Sequence, residues 1–208
     1  MTEANECVVF VDDDPSMREA LLALMDSIGA SAKAYASVQD YLDAPVLHCP
    51  HCLVLDVRMP WRSGLDLQAE IARRELAPPI VFLSGHADVP MSVKAMKAGA
   101  IEFLVKPFRD QDLIDAIHQG LSLDRQQRAG SDALVELRTR HGSLTPRERE
   151  VMGLVAQGLL NKQIAGMLDV SEITVKVHRG QAMRKMGARS LADLVRMVDQ
   201  LGPGAMPV

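Results

Sequence analysis

A chain of 208 residues with 48% hydrophobic and 24% charged side chains can form one large or two small globular domains, and its composition excludes disordered, collagen-like and coiled-coil chains. No apolar run approaches the ~20 residues of a bilayer span, the acidic start MTEANE is unlike a secretory leader and predicts a cytoplasmic protein, and three cysteines (Cys7, Cys49, Cys52) are too few for a disulfide framework. The net charge of −4 hides an asymmetry, −8 over residues 1–120 against +4 over 121–208, so the front half suits a bound cation and the back half a polyanion.

In chain order, short β-branched runs alternate with stretches of helical period, the pattern of an α/β domain with a parallel sheet. Five strands are expected at 7–11, 33–36, 52–56, 80–84 and 102–105. The runs at 7, 52 and 80 are continuously apolar, as central strands covered on both faces must be. Helix starts are readable at Asp14 with Pro15 behind it, at Ser37 with Asp40 three residues on, and at Asp110. These units fill 1–122. Residues 123–143 are polar with glycines at 130 and 142, and read as a linker, helical in pieces. From 144 to 208 the strand signal disappears. Thr145-Pro146-Arg147-Glu148 is a capping box, Asn161 and Ser171 are expected caps of a second and third helix, and Ser190 with Asp193 of a fourth. The fold class is therefore a doubly wound five-stranded parallel α/β domain followed by a small all-α domain.

In such a sheet, ligands sit at the carboxyl ends of the strands. There the first strand offers Asp12, Asp13 and Asp14, the third Asp56, the fourth Ser84, and the fifth is followed by Lys106-Pro107. Converging carboxylates repel one another and invite a hard divalent cation; few protein ligands and a phosphate-bearing partner favour magnesium over calcium. Asp14 is most simply a helix cap, and a lone aspartate at a strand end is commonly a turn residue; the combination is what carries the reading.

The succession VDDD (11–14), LDVRMP (55–60), LSGHADVPM (83–91) and AIEFLVKPF (100–108) resembles the receiver domain of two-component response regulators, of the flavodoxin-like fold, and in particular the FixJ type. The resemblance implies that Asp56 is the nucleophile that takes a phosphoryl group from a sensor histidine kinase. It implies magnesium held by Asp13, by Asp12 largely through water, by Asp56 and by the backbone carbonyl of Arg58. Lys106 and Ser84 would contact the phosphoryl oxygens, and Ser84 and Phe103 would be the switch pair, Phe103 being otherwise a plain core residue. A cis Lys106-Pro107 bond is expected by the same resemblance. Trp61-Arg62 departs from the family pattern and is expected to hang a large ring over the pocket mouth. His48-Cys49-Pro50-His51-Cys52 looks like zinc chemistry at first glance, but one tetrahedral ion needs ligands from separated turns and no second cluster exists, so a polar loop is the expectation.

In the back half, a helix over 161–168, a break at 169–171 and a helix over 172–186 have helix-turn-helix length and spacing. Val175, Ala182 and Met186 draw a core face on the later helix, leaving Thr174, Lys176, Val177, Gly180, Gln181 and Arg184 toward the other side, where such a helix can enter the major groove. The methionines at 152, 167, 183, 186 and 197 are expected in the core. Residues 144–195 closely resemble the LuxR/NarL-type helix-turn-helix domain. That resemblance implies double-stranded promoter DNA as partner, with Lys176 and Val177 at base edges, Arg179 and Lys185 mostly at phosphates, and Thr174, Gln181 and Arg184 on the same face. It also implies a homodimer when phosphorylated or DNA-bound, with the fourth helix pairing subunits, and leaves room for RNA polymerase as a further partner.

The reading is a transcriptional response regulator, not an enzyme beyond self-phosphorylation and slow dephosphorylation. A magnesium-dependent phosphohydrolase is the rival, but it would want a second carboxylate as Asp-x-Asp, where Asp56-Val57-Arg58 places arginine. A third reading, a DNA-binding protein whose receiver no longer takes phosphate, is disfavoured by the intact Asp12, Asp13, Asp56 and Lys106.

Overall fold

The computed structural model describes residues 6–45, 49–73, 77–86 and 89–202; His48 of the Cys/His run lies outside them. Two compact units divide the chain at Arg128.

The first unit holds β1 (Cys7–Val11), β2 (Ala32–Tyr35), β3 (His51–Asp56), β4 (Ile80–Ser84) and β5 (Glu102–Val105), all parallel in the order β2-β1-β3-β4-β5. The three expected central strands are buried along their whole length, and β2 and β5 only in part. Because side chains alternate across a strand, the sheet feeds two cores. Val9, Val11, Leu53, Leu55 and Phe82 face α2 (Val38–Asp43), α3 (Gly64–Ile71) and α4 (Val89–Lys97); Val8, Phe10, Val54, Val81 and Leu83 face α1 (Pro15–Ser27) and α5 (Asp110–Gly142). The caps at Asp14 and Ser37 form as expected. Ser63 with Asp66 adds a capping box at α3 that fixes where that helix begins.

The second unit takes in Leu137 and the later helices α6 (Pro146–Ala156), α7 (Asn161–Leu168), α8 (Glu172–Met186) and α9 (Leu191–Leu201). Where helix in pieces was expected over 123–143, α5 runs unbroken to Gly142: neither Gly130, an exposed residue, nor the polar composition interrupts its backbone bonds, because one helical glycine costs only about 1 kcal/mol. Thr145, Ser171 and Ser190 cap as expected. Asn161 does not cap α7. The Gln163 side chain accepts from the Leu160 N–H (2.8 Å), while the Asn161 carboxamide accepts from Arg179 on α8 (3.2 Å). Met152 and Met186 are buried and Met183 and Met197 half-buried, but Met167 is exposed; α7 turns Ile164 and Ala165 inward, which puts Met167 on its outer side.

Candidate functional site

Parallel strands bring their carboxyl ends to one edge of the sheet, and there the predicted groups meet. The Lys106 ammonium donates to Asp56 Oδ1 (2.7 Å) and to Asp12 Oδ2 (2.9 Å). The second oxygen of each carboxylate accepts a backbone N–H, from Arg58 for Asp56 (2.7 Å) and from Asp14 for Asp12 (2.9 Å). Asp12 and Asp56 are buried, whereas Asp13 is exposed beside them. A Cβ on Gly64 would lie 2.4 Å from the Asp56 carbonyl oxygen, so only glycine lets α3 start this close to the end of β3. Arg18, one turn into α1, donates to the Asp12 carbonyl (2.7 Å); nothing in its spacing from the aspartates announced it.

Burial pushes the Asp56 carboxyl above the usual carboxylate value; the hydrogen bond and charge of Lys106 pull it back, and the Asp12 charge adds to the rise. Burial opposes the charge on Lys106, but the bonds to Asp12 and Asp56 and their charges outweigh it, and its pKa is raised. The Ser84 hydroxyl is buried and committed to the following loop, donating to the His86 carbonyl (3.0 Å) and accepting from the His86 N–H (3.3 Å). Phe103 is half-buried, its ring centroid 6.2 Å from that of Phe82. The Lys106-Pro107 peptide is cis.

In the second unit, α8 buries Val175, Ala182 and Met186 and exposes Lys176, Val177, Gly180 and Arg184, with Thr174, Arg179 and Gln181 half-buried. The break before it is made by Asp169 in the left-handed region (φ 51°) and by Ser171, whose side chain accepts from the Thr174 N–H (3.1 Å).

Residues 8–118 match the response regulator receiver domain family, and residues 142–198 match the bacterial regulatory proteins of the luxR family. The chain is similar to Nodulation protein W of Bradyrhizobium diazoefficiens (49% identity, 98% of this chain and 91% of that one). It is also similar to Response regulator protein TmoT of Ectopseudomonas mendocina (48%, covering 97% and 91%). Among solved structures it resembles the response regulator StyR (46% identity, TM-score 0.85, covering 95% and 100%) and full-length FixJ from B. japonicum (36%, TM-score 0.56, covering 97% and 98%). The chain belongs to the response regulators. It is a transcriptional regulator of the two-component type, with a receiver domain and a LuxR-type DNA-binding domain.

Receiver domains generally bind magnesium at this pocket. In this response regulator the donors fit: Asp12, Asp13, Asp56 and the Arg58 carbonyl are hard oxygens, and the two buried carboxylates of Asp12 and Asp56 share the single ammonium of Lys106, which leaves an excess negative charge for a cation. Among the described residues no group of three or more His, Cys, Asp or Glu side chains forms a ready metal cage, so an ion here would keep waters, as magnesium does.

One expectation needs correction in the response regulator. Trp61 does not cover the pocket: it sits in the left-handed region (φ 69°) with a relative exposure of 102%, its ring standing in solvent. The Lys185 ammonium donates to the buried Glu148 carboxylate (2.7 Å) and to the Ser143 carbonyl (3.3 Å), two partners that its sequence position did not announce. Arg179 is likewise held by Asn161. The described part of the Cys/His run is structural: His51 Nδ1 faces the Cys49 carbonyl (3.1 Å) and the Arg128 guanidinium (3.2 Å), and the His51 N–H donates to the buried Asp124 (2.8 Å). Burial pushes the Cys52 thiol up to about 12. No helix among the described residues is long and apolar enough to cross a membrane.

Proposed function

We propose that Asp56 takes a phosphoryl group from a sensor histidine kinase and that this phosphorylation controls how α7 and α8 engage promoter DNA. The observation that carries the reading is the ion-paired triad of Asp12, Asp56 and Lys106 at the carboxyl ends of the strands. An Asp56 carboxylate oxygen attacks phosphorus, the bond from phosphorus to the kinase histidine breaks, and the imidazole leaves with the electron pair. Asp13, Asp56 and the Arg58 carbonyl, with Asp12 through water, would hold magnesium, which would supply charge neutralisation on the phosphoryl oxygens. Lys106 stays protonated and pairs with a phosphoryl oxygen as its bond to Asp56 is given up. Ser84 exchanges His86 for another phosphoryl oxygen, and Phe103 repacks against Phe82. Self-phosphorylation and slow loss of the phosphoryl group are the only chemistry assigned.

On the DNA side, Lys176 and Val177 reach base edges, with Thr174, Gln181 and Arg184 beside them. Arg179 and Lys185 serve first to position α8 and only secondarily meet phosphates. A homodimer in the phosphorylated or DNA-bound state and contact with RNA polymerase belong to the same reading. The test is incubation of the full chain with acetyl phosphate and magnesium. A hydroxylamine-labile adduct should form in the wild type and be lost in Asp56→Asn with the fold retained; labelling that persists at another aspartate overturns the assignment.

A further inference from the structure

At roughly 100° per residue along a helix, Ile173, Val177, Gly180 and Arg184 fall on one line of α8, diametrically opposite the buried Val175, Ala182 and Met186. The two apolar members of that line stand in solvent, Ile173 with 77% and Val177 with 51% of its surface exposed. A Cβ added at Gly180 would meet nothing, so the protein's own packing does not require glycine there. Exposed cations accompany the line, Lys176 beside it and Arg184 on it. A branched aliphatic pair on the outermost line of a helix, in its first turn and a half and bordered by cations, is chemically matched to one feature of a polyanionic groove. That feature is the 5-methyl group of thymine, the apolar atom of the major-groove edge.

We infer that Ile173 and Val177 form an apolar reader for thymine methyl groups, on the line of α8 that also carries Gly180 and Arg184. Ile173 becomes a specificity-determining residue. The inference rests on the reading of α8 as the groove helix, which places Val177 at base edges, and adds to it the chemical identity of what is read.

A duplex selected from a random pool by the full-length wild type supplies the probe. Each thymine in it is replaced in turn by deoxyuridine, which removes one methyl group and keeps the base pairing. At about fourfold per methyl, the factor that roughly 0.8 kcal/mol for a buried methylene gives at 1.4 kcal/mol per decade, one or two positions should weaken wild-type binding. Ile173→Ala should abolish the effect at one of these positions and Val177→Ala at a neighbouring one. Both variants remove exposed side chains, and circular dichroism checks that they fold. Lys176→Ala is the arm that separates the two readings. If it weakens specific binding while the deoxyuridine scan is flat, α8 is in the groove and the methyl reader is wrong. If neither changes binding, the docking of α8 itself is wrong. Deoxyuridine effects that persist unchanged in both apolar variants also overturn the inference. So does a flat scan together with an Ile173→Ala change in oligomeric state measured without DNA, which would make this stripe a contact between copies of the chain.

Discussion

Lys106→Met keeps most of the lysine's volume and deletes its charge, leaving Asp12 and Asp56 buried with one backbone N–H each. Removing one partner of a buried ion pair typically costs 3–5 kcal/mol; because the Lys106 side chain retains 20% of its exposure and each carboxylate keeps a backbone donor, a loss of about 3 kcal/mol is expected. Its pH dependence follows from the directions of the shifts. The Lys106 pKa is raised above 10.5, so its contribution is fully present below that value and is lost only as pH rises through the folded pKa. The Asp56 pKa is already raised above 3.8 by burial, against the lowering effect of Lys106, and deleting the ammonium raises it further. A raised carboxyl weakens the fold as pH climbs through its folded value and is relieved by protonation. The deficit of Lys106→Met should therefore be large at neutral pH and smaller in acid, where Asp56 takes up a proton. Hydrogen exchange of the β1 and β3 amides in the full chain measures it locally, without requiring the two units to unfold together. Magnesium should restore part of the loss. A deficit of equal size at both pH values would mean that the lysine acts through its packed methylenes and that the triad is not electrostatically coupled.

The sheet and the pocket were legible because their signals are local and strong. Short apolar runs rich in β-branched residues fit strands covered on both faces, and once β1, β3 and β4 are central, parallel topology forces Asp12, Asp56, Ser84 and Lys106 to one edge. What stayed hidden depends on where a side chain goes after the backbone is set. Asn161 has the chemistry of a cap, yet its carboxamide is used by Arg179, 18 residues away. Lys185 has a second partner that the sequence does not announce, the buried Glu148. In the first case a long-range partner overrides a local preference that the sequence states correctly; in the second it adds to one. Trp61 fails for a different reason: proximity to Asp56 in sequence says nothing of direction, and a backbone at φ 69° carries the ring outward. The unbroken α5 belongs to the same class, since polar composition and one glycine are shared by linkers and by exposed helices.

Trp61, standing in solvent, should emit at the wavelength of water-exposed tryptophan and show no change through a magnesium titration that supports labelling of Asp56; a magnesium-dependent blue shift would put the ring at the pocket. Lys185→Met should destabilise the second unit by about 2 kcal/mol, the buried-pair range discounted for a lysine side chain 38% exposed. The Glu148 pKa is lowered below 4.5, first by the hydrogen bond from Lys185, so this stability is present above 4.5 and lost as pH falls through the folded value. Exchange of the α6 amides should show the variant and the wild type converging in acid, and a pH-independent gap would refute the pairing. Gly180→Lys tests which line of α8 faces DNA. Replacing an exposed helical glycine whose Cβ would touch nothing should stabilise the helix by roughly 0.5–1 kcal/mol, and a cation on the outermost line should meet a phosphate and steepen the salt dependence by about 0.9 in log–log slope. Gly130→Lys on α5, also exposed and open to a Cβ, makes the same gain in helix propensity and in net charge, so it separates a specific contact from a general rise in positive potential. Equal salt slopes for the two variants would mean that the line through Ile173, Val177 and Gly180 does not lie against DNA, and the assignment of base-reading residues on α8 would fall with it.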